Sequence, residues 1–259
     1  MVIVSWRYNI VVAAMIAICF TGCNQAAHNV VASDDNAIYP TSTQQINYLS
    51  TPEHYRDRIA TFKKAPLTRK DIVFIGDSIT EGGGNWSNRL GQPSVVNRGI
   101  GGDVTDGVLA RLGEIRHFKP RAVFLMIGFN DVNNIHFSRE EVRITSPKYT
   151  AKNILRIIEI ISSGSPETQI IVQSILPCRN STINELIRTV NAIVADASAH
   201  ANFRFVDLYS HFTDHTGRLK TTLLDANAFG DGHLNEKGYQ HWGRLITPLI
   251  ETVNQLHQR

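Results

Sequence analysis

Asp71-Ile-Val-Phe-Ile-Gly-Asp-Ser-Ile-Thr-Glu81 is the stretch that decides the fold. Ile72 to Ile75 is an apolar run rich in β-branched residues, the pattern of a strand buried on both faces. It stops at Gly76, and an acid and two hydroxyls follow at once, at Asp77, Ser78 and Thr80. In an open α/β sheet, ligands bind in the crevice beyond the carboxyl ends of the strands. Ser78 therefore stands where a nucleophile is useful. The plainer alternative is a Gly-Asp-Ser turn leading into a helix with Ser78 as its cap. The rest of the chain discriminates between the two.

Working outward, Thr51-Pro52-Glu53 reads as a helix start, with a hydroxyl cap, a proline in the first turn and then an acid. That helix runs to about Lys64, with Tyr55, Ile59 and Phe62 on one face. Downstream, strands are expected at 94–97, 122–127, 169–176 and 203–208. Helices are expected at 104–115, 149–162, 181–199 and 235–257, the last interrupted or bent near Pro248. Continuously apolar strands alternating with helices predict an α/β fold, a central parallel sheet covered by helices on both faces. There is no internal repeat and no low-complexity segment.

The first 23 residues do not belong to this pattern. Arg7 gives a positive flank, and Ile10 to Phe20 is an unbroken apolar run of 11 residues. That is short for a membrane span and suits the core of a signal peptide. Phe20-Thr-Gly-Cys23 resembles a bacterial lipoprotein processing site, in which Cys23 is lipidated and becomes the new N-terminus; the alternative is an ordinary secretory signal cut nearby. Residues 24–50 are polar and read as a tether, and 51–259 as one domain. The expected location is the bacterial cell envelope, with the membrane as partner through the lipid. Of three cysteines, Cys19 leaves with the signal and Cys23 carries lipid, so Cys178 has no internal partner. A disulfide-free exported chain must rely on its hydrophobic core, and 42% apolar residues can supply one. The net charge is +3 with no basic run, which argues against a nucleic-acid partner.

The junctions between strands and helices carry the chemistry. Gly76-Asp-Ser78 follows the first strand, Asn97-Arg-Gly-Ile-Gly-Gly-Asp103 the second and Gly128-Phe-Asn-Asp131 the third. Gly230-Asp-Gly-His-Leu-Asn235 precedes the last helix. Parallel strand ends converge on one edge of the sheet, where these stretches can meet. A serine hydroxyl needs a base to take its proton, and a histidine oriented by a carboxylate is the usual one. The oxyanion of acyl transfer needs donors fixed in advance. Ser78, His233 and Asp231 fit the first set, and the N–H groups of Ser78 and Gly102 with the amide of Asn130 fit the second. Taken singly, Gly102 is also a tight turn, Asn130 a turn or cap residue, and His233 one of ten histidines. Val104 breaks the dinucleotide-binding glycine pattern. Thr80 breaks the G-x-S-x-G elbow. No cluster has zinc spacing, so no metal is expected.

These blocks, in this order, resemble the SGNH (GDSL-type) hydrolase family across roughly Asp71 to Trp242. Gly76–Thr80 matches the first block, Gly102 the oxyanion glycine, Gly128–Asp131 the Gly-x-Asn-Asp block, and His233 the histidine of the Asp-x-x-His block. Val96–Asp103 and Phe124–Gly128 look most like the branch of platelet-activating-factor acetylhydrolase-like and bacterial carbohydrate acetylesterase members. The resemblance implies a three-layer, flavodoxin-like α/β/α sandwich, ester hydrolysis through an acyl-serine, and no cofactor. One departure stands out: Gly230 occupies the place of the family aspartate, and Asp231 lies only two residues before His233. Asp231 is the expected third member of a triad. The alternatives are a backbone carbonyl such as that of Gly230, giving a Ser-His dyad, or Asp225. Phe129 is expected to narrow the cleft or pack against the acyl group, and Trp86 either to stack on a sugar or to pack its loop.

The sequence thus points to an exported esterase acting on small acyl groups, O-acetyl first, on carbohydrates such as sialic acid or polysaccharide. A lysophospholipase or short-chain lipid esterase is the alternative within enzymes, and a glycan-binding lipoprotein without catalysis the alternative outside them.

Overall fold

The computed structural model describes residues 35–40, 51–138, 144–228 and 230–256. The expected signal segment, Cys23 and most of the tether lie outside these. The elements run α1 (Asp35–Ile38), α2 (Pro52–Lys64), β1 (Ile72–Gly76), α3 (Ser78–Glu81), α4 (Trp86–Leu90), β2 (Val95–Gly99), α5 (Thr105–Ala110), α6 (Gly113–Phe118) and β3 (Ala122–Met126). They continue with α7 (Phe129–His136), α8 (Pro147–Gly164), β4 (Gln169–Gln173), α9 (Ser181–Ala197), β5 (Arg204–Val206), α10 (Tyr209–Phe212) and α11 (Glu236–Leu256).

The strands form one parallel sheet in the order β2-β1-β3-β4-β5. β1 is central to the site. Its register pairs Gly76 with Gly99 on one side and with Met126 on the other, so the ends of β2, β1 and β3 lie level. The chain steps one way from β1 to β2 and the other way from β2 to β3, which makes the carboxyl ends of β1 and β3 the topological switch point. All five residues of β1 and of β3 are buried, as a strand covered on both faces requires. Full burial of each of Ile72, Val73 and Phe74 contributes roughly 1.5–3 kcal/mol.

One face of the sheet carries α8 packed against α5, α7 and α9, and α4 packs against α11. Trp86 of α4 and Trp242 of α11 meet edge to face at 4.8 Å, with Phe74 at 4.6 Å from Trp86. Trp86 is 1% exposed and donates through Nε1 to Thr80 O at 3.0 Å. It is a core residue, so the expectation of a sugar platform is replaced by that of a packed loop.

Four further expectations are corrected. The helix read at 104–115 is two short ones, because Arg111 leaves helical geometry (φ −116°) and turns its guanidinium inward to Asp103, Arg98 O and Gly76 O. The sequence of α7, Phe-Asn-Asp-Val-Asn-Asn-Ile-His, is full of residues that favour turns and gives only a junction, yet it forms a helix. Part of the expected tether is folded: Ile38 and Tyr39 are each 5% exposed and pack with Tyr55, Ile59, Phe62 and Ile100. α11 runs through Pro248 without interruption.

Candidate active site

β1 ends at Gly76, and the chain enters α3 within two residues. Asp77, not Ser78, is the cap: its carboxylate accepts from Ile79 N at 2.9 Å. Ser78 is the first helical residue, and its hydroxyl lies 2.9 Å from His233 Nε2. His233 reaches this point on a segment held by an antiparallel bridge between Leu224 and Leu234, with Asp225 N donating to His233 O at 2.9 Å. The two residues are 155 positions apart in sequence.

Gly102 follows β2 and adopts φ +76°, a left-handed conformation in which a side chain is strained. Asn130 is the second residue of α7 and is 4% exposed; its Nδ2 donates one hydrogen to Asp103 O at 2.9 Å. An amide nitrogen has two hydrogens, so one is left for the cleft. Neither Ser78 N nor Gly102 N donates to a protein acceptor among the described residues. Ser78, Gly102, Asn130 and His233 all line one cavity of about 650 Å³. Its walls include Phe129, Phe137 and Ile183 on the apolar side and Thr51 and His54 from the start of α2. Phe129 packs on Gly232, where an added Cβ would stand 2.6 Å from the ring. It therefore braces the histidine segment as well as narrowing the cleft.

The third triad position is a correction. His233 Nδ1 is buried and has no hydrogen-bond partner among the described residues. Asp231 also lines the cavity, but its carboxylate lies against the Cys178 thiol, whose pKa is pushed up to about 12, first by burial and then by that charge. Asp231 O accepts from Arg179 N at 3.1 Å, so the 230–231 backbone is tied to the 178–179 loop. With one residue fewer than the family spacing, the aspartate is held there and does not come round beneath the imidazole. Asp225 is also turned away, with its carboxylate accepting from Asn227 N at 2.9 Å. Nor does the carbonyl of Gly230 reach the ring. Consequently Asp231→Asn is expected to lower kcat by less than about tenfold, where loss of a triad aspartate costs about 10⁴-fold. Steady-state kinetics on the purified variant decide it, and a loss of the larger size would restore the triad.

Three buried acids were missed at the sequence level. Each flanks a site residue: Asp77 precedes Ser78, Asp103 follows Gly102 and Asp131 follows Asn130. That shared adjacency was the available signal. Asp77 is raised to about 7, chiefly by burial, against the lowering effect of the Ile79 N–H, and further by the charges of Asp103 and Asp131. Asp131 is raised to about 7 by burial, offset by its bonds from the Thr105 N–H and hydroxyl. Asp103 is raised to about 6 by burial, offset by the Arg111 guanidinium. Arg111 in turn donates to Gly76 O and Arg98 O, so these acids fix the backbone that presents the donors. Among the described residues no cluster of histidines, cysteines or acids could hold a metal.

Comparison with known proteins identifies the family. Residues 74–241 match the GDSL-like lipase/acylhydrolase family. Platelet-activating factor acetylhydrolase IB subunit alpha2 of Rattus norvegicus is 28% identical over 200 residues, covering 72% of this chain and 77% of the relative. A GDSL-like lipase from Bacteroides thetaiotaomicron superposes with a TM-score of 0.60 at 22% identity, over 76% of this chain and 97% of the other. An acetyl-xylooligosaccharide esterase from Geobacillus stearothermophilus superposes at 0.59 with 19% identity, over 70% and 94%. At these identities the two structures show a common fold.

Proposed function

The chain belongs to the GDSL-like lipase/acylhydrolase family, and on that premise we propose that it is a serine esterase that removes small acyl groups, acetyl first, from carbohydrate hydroxyls. The observation that carries the mechanism is the 2.9 Å contact between Ser78 Oγ and His233 Nε2 at the base of a cleft that also holds Gly102 and Asn130. Ser78 Oγ attacks the ester carbonyl carbon while His233 Nε2 takes the hydroxyl proton. The oxyanion is held by Ser78 N, Gly102 N and Asn130 Nδ2. The C–O bond to the leaving sugar breaks as His233 returns the proton to that oxygen. Water then attacks the acyl-serine by the same route and releases the acid. For Nε2 to accept a proton, the neutral ring carries its hydrogen on Nδ1, which has no acceptor here. The machinery is therefore a Ser-His dyad.

The cleft supports a carbohydrate ester. It sets aromatic rings, Phe129 and Phe137, beside the amides of Asn133 and Asn180, the mixture of apolar face and polar edge that a sugar presents. The acetyl-xylooligosaccharide esterase that shares the fold and the acetylhydrolase relative are in keeping with a small acyl group. The apolar wall formed by Phe129, Phe137 and Ile183 also favours a second reading, a short-chain lipid esterase or lysophospholipase. Activity on p-nitrophenyl esters separates them. The carbohydrate reading expects acetate to be the best substrate, a steep fall by butyrate or hexanoate, and release of acetate from acetylated sugars. Rates that rise with chain length would overturn it in favour of the lipid. A glycan-binding role without catalysis is disfavoured by the formed Ser78–His233 pair. Export and tethering through Cys23 form part of the proposal and rest on the apolar run before that cysteine.

A further inference from the structure

The N–H groups of the turn after β2 are engaged in an uneven way. Ile100 N donates to Gly76 O at 3.1 Å and Asp103 N to Ile100 O at 3.1 Å. Gly101 N donates to a side chain, Glu81 Oε2, at 2.6 Å. Among the described residues, Gly102 N is the member of this run without a protein acceptor, and Gly102 lines the cleft. The Glu81 carboxylate that fixes the preceding peptide is itself gripped from α2. His54 Nε2 lies 3.0 Å from Glu81 Oε2, and Arg58 Nε lies 3.3 Å from Oε1. His54 and Arg58 are one turn apart on the same helix face. Arg58 also donates through Nε and Nη2 to Gly99 O at 3.0 and 2.8 Å. Helix α2 thus holds the turn at both ends, at Gly99 directly and at Gly101 through Glu81. It does so from residues 52–64, ahead of the segment that matches the family.

We propose that Glu81 is a positioning residue for catalysis: clamped by His54 and Arg58, its carboxylate holds the Gly101 peptide so that the Gly102 N–H points at the oxyanion. The inference rests on the esterase reading. The interaction is charge-assisted and short, as expected of a strong bond between an ionised acceptor and a backbone N–H. A turn with a left-handed glycine has other conformations open to it, so an external hold has a physical purpose. A misplacement near 1 Å at a reacting centre costs about 10²-fold in rate, and loss of one oxyanion donor costs roughly 10²–10³-fold in kcat.

The test compares Glu81→Ala and Glu81→Gln with the wild type in kcat, KM and the inhibition constant of an alkyl trifluoromethyl ketone, which forms a tetrahedral adduct on the serine. Glu81→Ala is expected to lower kcat by roughly 10²-fold and to weaken the ketone by a similar factor, with KM within about threefold. Glu81→Gln keeps an oxygen for the Gly101 N–H and is expected to recover most of the loss. A folded Glu81→Ala protein with kcat within about threefold of wild type overturns the proposal, as does a fall in kcat with unchanged ketone affinity. If thermal unfolding shows that Glu81→Ala does not fold, His54→Gln carries the test, because His54 bonds to Glu81 and makes no hydrogen bond to the turn itself: a parallel loss of kcat and ketone affinity supports the proposal, and unchanged values overturn it. Wild-type activity that is absent, or that survives Ser78→Ala, faults the esterase reading instead of this one.

Discussion

Replacing Ser78 by alanine is expected to lower kcat by about 10⁴-fold or more while leaving the fold in place. The nucleophile is removed, and neither the oxyanion donors nor His233 can replace it. The stability side of this expectation follows from the local structure. Ser78 is the first residue of α3, but Asp77 supplies the cap through its bond to Ile79 N. Alanine is a good helix former, so the substitution loses the hydrogen bond to His233 and little else. A net cost near 1 kcal/mol corresponds to a shift of about 2–4 °C in the unfolding midpoint for a domain of this size. Release of p-nitrophenol and a thermal melt on the same sample measure both. Activity near wild type would remove Ser78 from the reaction. A collapsed melt would mean that Ser78 is structural.

The second large effect falls on folding. Gly99 ends β2 opposite Gly76, and a methyl group there would lie 2.3 Å from Glu81 N, 2.7 Å from Glu81 Cα and 2.9 Å from Asp77 O. All three are backbone atoms of the Ser78 segment, so no side chain can swing away. Gly99→Ala must either push α3 off the sheet end or bend β2. Forced overpacking costs about 1–3 kcal/mol, and a clash with rigid backbone lies at or beyond the top of that range. The expected outcome is a loss of about 3 kcal/mol or more in denaturant unfolding. What folded protein remains should lose activity as well, because the displaced segment carries the nucleophile. A variant as stable and as active as the wild type would show that the two loops do not pack as described.

The centre of the sheet was legible because β1 and β3 are continuous apolar runs that give way to glycine, and such a pattern needs no tertiary information. Ser78, Gly102, Asn130 and His233 were legible because each follows or faces such a strand end. What failed did so for nonlocal reasons. Arg111 has good helix propensity, yet it ends α5 because a buried acid and two carbonyls engage its guanidinium. Asp231 has the right chemistry and close sequence proximity to His233, but the 178–179 loop, some fifty residues earlier, holds it elsewhere. The participation of α2 in the cleft could not be read from Thr51-Pro52-Glu53, which says where a helix starts and nothing about where it docks. Trp86 reads equally as a sugar platform or as loop packing from the sequence; the structure takes the second, because Gly83, where an added Cβ would stand 2.2 Å from the ring, lets the chain close over it.

The level ends of β2, β1 and β3 bear on how this site is lost. The proposed nucleophile and the three proposed oxyanion donors hang from adjacent strands whose ladders belong to the buried core. Opening them requires the free energy of global unfolding. The imidazole is carried on a partly exposed excursion outside the sheet, held by the bridge between Leu224 and Leu234 and by the bond from Arg179 N to Asp231 O, a cheaper unit to open. The two halves of the machinery therefore have different lifetimes. Mild heat or denaturant is expected to withdraw His233 before Ser78, Gly102 and Asn130 come apart, so that loss of activity precedes unfolding and is reversed when the segment closes again.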